Sequence, residues 1–126
     1  MSNNSSIAPS VPVVTRVVEG LSIPELRNLS DTLRSRLRTG GVVIVGTSSA
    51  GKTAVVVAVT PEYSGRTPAS RLATRIGQAL GGSGGGKPDL AQAGGKSEEL
   101  LREGIRAGVE AVREMLAGSP ETALKA

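Results

Sequence analysis

The chain has 126 residues, a length that fits one domain with one hydrophobic core. It contains no cysteine and no histidine, which excludes disulfides, thiolate nucleophiles, imidazole bases and the commonest transition-metal ligands. Residues 1–96 carry eleven basic and five acidic side chains, whereas residues 97–126 carry four and six. This uneven basic charge favours a polyanionic partner. The composition predicts no catalytic residues, no metal site and no cofactor.

Aromatic side chains and long apolar runs are both scarce. Tyr63 is the single aromatic residue, so we do not expect bases to stack on aromatic rings as they do in many single-strand readers. No apolar run approaches the roughly 20 residues that span a bilayer, and residues 1–10 do not resemble a signal peptide. The sequence predicts a soluble, cytoplasmic protein without membrane contact.

The first predicted elements are a strand and a helix. Residues 1–11 are polar and are predicted to be a disordered lead. Residues 12–18 are rich in β-branched side chains and predict a strand. Ser22, followed by Pro24 and Glu25, has the spacing of a capping box and predicts a helix to about Leu37.

The segment G46-T-S-S-A-G-K-T53 matches the Walker A pattern of nucleotide-binding proteins. A phosphate loop leads from a strand into a helix, but residues 54–59 are mostly β-branched and favour a strand. No later apolar run ends in an acidic residue that could hold Mg²⁺. The sequence therefore predicts a β-hairpin with Lys52 at its tip. A nucleotide-binding enzyme that uses Gly51, Lys52 and Thr53 is the hypothesis that the sequence supports least.

The second half predicts two more helices around a glycine-rich segment. Thr67 is expected to be the N-cap of the second helix, with Pro68 at the first helical position. A third helix is predicted from near Ser97 to about Ala117, with Gly118 as its C-cap and residues 119–126 as a frayed tail. The order of elements predicts an α/β (α+β) fold, a single small domain of residues 12–118 with a mixed, mainly antiparallel sheet flanked by about three helices.

The glycine-rich segment, G81-G-S-G-G-G-K-P-D-L-A-Q-A-G-G95, holds seven of the seventeen glycines. Pro88 and Asp89 impose a turn, and residues 90–93 could form a short buried strand. We predict an ordered loop whose free backbone amides, beside Lys87, form an anion-binding nest.

This segment closely resembles the signature of the DHH-associated domain at the C-terminus of alanyl-tRNA synthetases, where a GGxGGG run precedes a basic residue, Pro-Asp, an apolar residue and Ala-Gln. The likeness covers about residues 12–117. It implies a mixed α/β domain that helps the synthetase hold tRNA at its outer corner. Related domains accompany DHH phosphoesterases. Lys87 and Leu90 stand where Arg and Met are frequent in the family, and Lys lacks the bidentate fork of Arg. The synthetase's catalytic and editing domains have no counterpart, so the chain is not expected to be an enzyme by itself.

Two hypotheses precede the nucleotide-binding one. The first is a non-catalytic module that binds tRNA or other structured RNA through backbone and shape. The second is a protein-interaction or remnant domain that partners a synthetase or a DHH phosphoesterase. Arg34, Arg36 and Arg38 are assigned to helix-dipole complementarity and solubility. Arg66, Arg71 and Arg75 precede or lie within the second helix, and an ordinary solvent-exposed helix face explains them as well as RNA contact does. The predicted RNA-binding residues are Gly82, Gly84, Gly85, Gly86, Lys87, Asp89, Gln92, Arg66, Arg71 and Arg75.

Overall fold

A computed structural model describes residues 12–125, with side chains described for residues 12–116. The predicted disordered lead, residues 1–11, lies outside the described residues. In chain order the elements are β1 (Val13–Val17), α1 (Ile23–Ser35), β2 (Val42–Ser49), β3 (Lys52–Val59), α2 (Ala69–Ala79), β4 (Ser83–Gly86), β5 (Leu90–Gly95), a 3₁₀ turn (Glu98–Leu100) and α3 (Leu101–Lys125).

The five strands form one mixed sheet in the order β1-β2-β3-β5-β4. β1 runs parallel to β2, and every other neighbouring pair is antiparallel. The β-branched runs of β2 and β3 occupy the centre, where they are buried on both faces. This architecture confirms the predicted α/β (α+β) fold.

The helices divide between the two faces of the sheet. α2 and α3 cover one face over a core that includes Ile44, Val55 and Ile76. α1 covers β2 and β3 on the other face, where Leu26 packs against Val43 and its neighbours. β4 is the edge strand opposite β1, and α1 packs on β2 and β3. The α1-side face of β4 therefore extends beyond the part of the sheet that α1 covers.

The N-terminus of α1 has the predicted capping box. The Glu25 amide donates to Ser22 Oγ at 3.2 Å, and the Ser22 amide donates to Glu25 Oε1 at 2.9 Å. These two bonds satisfy amides that would otherwise lack partners in the first turn. The expected start of α1 is therefore confirmed.

Two predicted helix boundaries are wrong. Pro68, and not Thr67, is the N-cap of α2. The buried Thr67 hydroxyl donates instead to the Tyr63 carbonyl at 3.1 Å. α3 continues through Gly118 to Lys125, because a single glycine lowers helix propensity without forcing a helix to end. The domain boundary at residue 118 and the frayed tail stay predictions.

None of the helices in the described part of the chain is both long enough and apolar enough to cross a membrane.

Candidate functional site

The Walker-like segment forms the predicted β-hairpin. Ala50 and Gly51 make its turn with φ of 52° and 80°, and Lys52 is exposed at the start of β3. The Gly51 amide donates to the Glu98 carboxylate at 2.9 Å. The Glu98 carboxylate is thus bonded to an amide that a phosphate loop would offer to its nucleotide. The turn is followed by the strand β3, whereas a phosphate loop is followed by a helix.

The glycine-rich segment is a β-hairpin of β4 and β5, which corrects the predicted loop, whereas the short strand expected at residues 90–93 is confirmed within β5. β4 pairs with β5 in antiparallel register, with Gly84 opposite Ala93 and Gly85 opposite Gln92. The Lys87 amide donates to the Leu90 carbonyl at 3.0 Å and closes a tight turn through Pro88. Glycine has a low strand propensity, so residues 83–86 show no local pattern that predicts this pairing.

Close packing against α2 explains why β4 tolerates no side chain at Gly84. A Cβ there would collide with the Ala73 carbonyl of α2 and would come within 2.8 Å of the Ala93 Cβ. Gly85, the next residue, points the opposite way, and a Cβ there would meet no atom of the described residues within 4 Å. β4 is therefore pressed against a helix on one face and open on the other.

β4 also leaves backbone groups at the edge of the sheet. The bond at Lys87 makes residues 87 and 90 a hydrogen-bonded pair. By antiparallel alternation, Gly84 and Gly86 direct their amides and carbonyls away from β5. The Thr74 hydroxyl donates to the Ser70 carbonyl at 3.0 Å and, as the longer branch of the same bond, to the Gly84 carbonyl at 3.3 Å. Because the Lys87 amide is used in the turn, the predicted nest beside Lys87 is not formed as expected, and the outward amides belong to Gly84 and Gly86.

The exposed Lys87 and Asp89 lie at the tip of the β4–β5 hairpin. The described contacts of Asp89 run through its backbone carbonyl, which accepts from the Val59 amide at 2.9 Å and from Arg34 Nη1 at 3.0 Å. These bonds tie the hairpin tip to β3 and α1. The Pro88 carbonyl also accepts from the Ala69 amide of α2 at 2.7 Å, so Lys87 carries its charge at the end of a hairpin held in place by three neighbouring elements.

Two arginines of α1 reach this hairpin, which sequence reasoning missed. Arg27 Nη2 donates to Gln92 Oε1 at 2.8 Å, and Arg34, besides contacting Asp89, pairs with Asp31 at 2.7 Å. The sequence indicates no role for Arg27 and assigns Arg34 to helix-dipole complementarity and solubility. Their spacing of two helical turns indicates a shared face, but only the fold places that face beside β5.

The arginines predicted around α2 are all exposed, but they differ in their surroundings. Arg71 and Arg75 line one surface depression together with Thr74, whose hydroxyl also contacts Gly84 of β4. Arg75 is paired with Glu114 of α3 at 2.9 Å. Arg66 lies in the turn before α2, and no described contact joins it to the hairpin.

Gly82 completes the predicted set. Its amide donates to the Gly77 carbonyl at 2.8 Å, and a Cβ at Gly82 would collide with the Gly94 carbonyl. Gly82 therefore serves the tight passage from α2 into β4. Within the described residues, no group of three or more acidic side chains could hold a metal ion.

Comparison with known proteins gives consistent relatives. The family model described as the DHHA1 domain matches residues 10–116. The alanine–tRNA ligase of Chelativorans sp. (strain BNC1) is 47% identical over 109 residues, which are 86% of this chain and 12% of that protein. The alanine–tRNA ligase of Solibacter usitatus (strain Ellin6076) is 37% identical over 97 residues, 77% of this chain and 11% of the ligase. The chain thus spans about one eighth or less of these relatives.

A solved structure gives the same answer. The crystal structure of the C-Ala domain from Aquifex aeolicus alanyl-tRNA synthetase superposes with a TM-score of 0.74 at 33% identity. The match covers 82% of this chain and 96% of the solved one. Sequence, family model and fold agree with the resemblance drawn from the glycine-rich signature. The chain belongs to the DHHA1 domain family and resembles the C-Ala domain of alanyl-tRNA synthetase.

Proposed function

We propose that this chain is a non-catalytic tRNA-binding module that recognises RNA mainly through its backbone and shape. The names of its relatives, alanine–tRNA ligases and a C-Ala domain, support a role beside tRNA. Amino-acid activation and transfer, in this proposal, belong to the parts of those proteins that the chain does not span. Cytoplasmic localisation stays a prediction.

The observation that carries the proposal is the β4 edge strand and its basic border. A strand without side chains lets a phosphodiester backbone approach peptide amides closely. Lys87 lies at one end of this strand, Arg71 lies on α2 beside Thr74, which contacts the strand, and Arg27 lies on the α1 side of the sheet. Cationic groups around an accessible edge suit phosphates, whose neutralisation supplies much of the affinity for nucleic acids.

A second candidate is a docking role toward another protein. Val17 and Val18, at the end of the edge strand β1, are 44% and 40% exposed, which is high for large apolar side chains. This surface lies at the opposite edge of the sheet from β4. The two roles can therefore be tested by independent substitutions.

The test is the binding of fluorescent tRNA to the 126-residue chain at several salt concentrations. Lys87→Ala and Lys52→Ala form a matched pair, because both remove one exposed ammonium group near a hairpin tip. Lys87→Ala is expected to weaken binding several-fold and to lower the salt slope by about 1, and Lys52→Ala to have a smaller effect.

Two results would count against the proposal. Absence of tRNA binding at low salt would remove RNA recognition by this chain and favour the docking role. Equal losses for the two lysines would show diffuse electrostatic attraction instead of a site at the β4–β5 hairpin.

A further inference from the structure

The Arg27–Gln92 contact fixes the orientation of the Gln92 amide. Every polar hydrogen-bonding atom of a guanidinium is a donor, so Gln92 must present Oε1 to Arg27. The Nε2 group then lies on the other branch of the same amide and keeps two N–H donors. This half-buried side chain consequently offers hydrogen-bond donors, with its rotation restricted by a neighbouring charge.

The surface beside Gln92 is flat because it has almost no side chains. Gly85 lies directly across from Gln92, and Gly94 is the next residue on the same face of β5. Ala54, paired with Gly94, continues this surface on β3. We call the surface of Gly85, Gly94 and Ala54 the glycine shelf. It forms the floor of an open depression of about 400 Å³ that Gln92 and Ile23 also line.

We propose that the glycine shelf holds one unpaired nucleobase, that Gln92 Nε2 donates to an acceptor on the edge of that base, and that Arg27 is the positioning residue for Gln92. This inference rests on the proposed RNA-binding function and adds a base contact to it. Peptide planes here replace the aromatic rings that the chain lacks, since a planar base can lie against glycine backbone at van der Waals distance.

A base fits this position better than a phosphate. Gln92 lines the same depression as the shelf and offers an uncharged donor there, which matches the edge of a ring. Phosphates have better partners nearby, at the exposed Lys87 and at the outward amide of the exposed Gly86. The shelf thus adds an uncharged contact to an otherwise electrostatic interface.

The experiment measures the affinity of the 126-residue chain for fluorescent tRNA and for inorganic polyphosphate, a polyanion without bases. Gln92→Met, which keeps the side-chain length, is expected to weaken tRNA binding about 3- to 10-fold. Its salt slope should equal that of the parent, because no charge is lost. Polyphosphate binding should not change. An equal loss for both ligands would assign the donor to phosphate and overturn the base contact.

The role of Arg27 is tested by a double-mutant cycle. Arg38→Met is the matched control, because it removes the same charge from an exposed position after the end of α1. Arg27→Met should weaken tRNA binding more than Arg38→Met. In the Gln92→Met background that excess should disappear, since a positioning residue has nothing left to position. If the losses of tRNA affinity caused by Arg27→Met and Gln92→Met add fully in the double variant, the positioning role of Arg27 is overturned.

These outcomes separate the two proposals. If the parent protein binds tRNA and Gln92→Met binds it with the same affinity, the base contact is refuted and the RNA-binding function stands. Parent protein that binds no tRNA would refute both. Thermal melts of each variant, followed by circular dichroism, verify that the fold is retained.

Discussion

Neighbouring glycines of β4 should respond in opposite ways to the same substitution. Gly84→Ala places a methyl group against the Ala73 carbonyl and within 2.8 Å of the Ala93 Cβ. Gly85→Ala places it in open space. Neither glycine is among the residues with a left-handed φ, so backbone strain does not complicate the comparison.

The expected magnitudes follow from these surroundings. Overpacking costs about 1–3 kcal/mol, and backbone atoms of α2 can move less than the end of a flexible side chain. Alanine in an open strand position is more favourable than glycine by about 0.5–1 kcal/mol. Gly84→Ala should therefore be less stable than Gly85→Ala, by roughly 5–15 °C in melting midpoint for a domain of this size.

Thermal and urea denaturation followed by far-ultraviolet circular dichroism measure this difference. The same two proteins then enter the tRNA assay. Gly85→Ala should keep its stability but lose affinity for tRNA, because its methyl group occupies the glycine shelf. A Gly84→Ala protein as stable as the parent would refute the packing argument. A Gly85→Ala protein with normal stability and normal tRNA affinity would refute the role of the shelf.

Three further predictions concern single side chains. The buried Thr53 hydroxyl has no hydrogen-bond partner among the described residues, so Thr53→Val should stabilise the protein by about 1 kcal/mol in urea denaturation, whereas a clear loss would show that the hydroxyl has a partner in solution. Ser22→Ala removes the side-chain cap of α1 and should cost about 1 kcal/mol in the same assay, and an unchanged midpoint would contradict the capping box. Glu114→Gln frees Arg75 from its ion pair. It should strengthen tRNA binding modestly at low salt and change stability by less than about 1 kcal/mol, and an unchanged affinity would exclude Arg75 from the RNA surface.

Local chemistry was enough to predict most of the elements. The β-branched residues of β2 and β3 favour strands wherever they stand, and this preference predicted a hairpin in place of the phosphate loop. Ser22 and Glu25 predicted the start of α1 because a capping box involves only four consecutive residues. The family followed from a glycine-rich signature that is contiguous in sequence.

The glycine strand itself was outside the reach of local chemistry. β4 forms because β5 supplies its hydrogen bonds and because α2 lies so close that Gly84 has no room for a side chain. These are tertiary contacts, and they outweigh the low strand propensity of glycine. Sequence reasoning consequently identified the segment as important and assigned it the wrong local structure.

In the candidate site, too, some features depend on local sequence and others on tertiary contacts. The sequence by itself determined the family, the chemical types present and most elements, since these depend on residues close together in the chain. Only the tertiary structure decided which side chains share the site. Arg27 and Gln92 are 65 residues apart in sequence, and the crossing of α1 over the sheet brings them to 2.8 Å. No periodicity or composition records such a distance, because it is set by how separate elements pack.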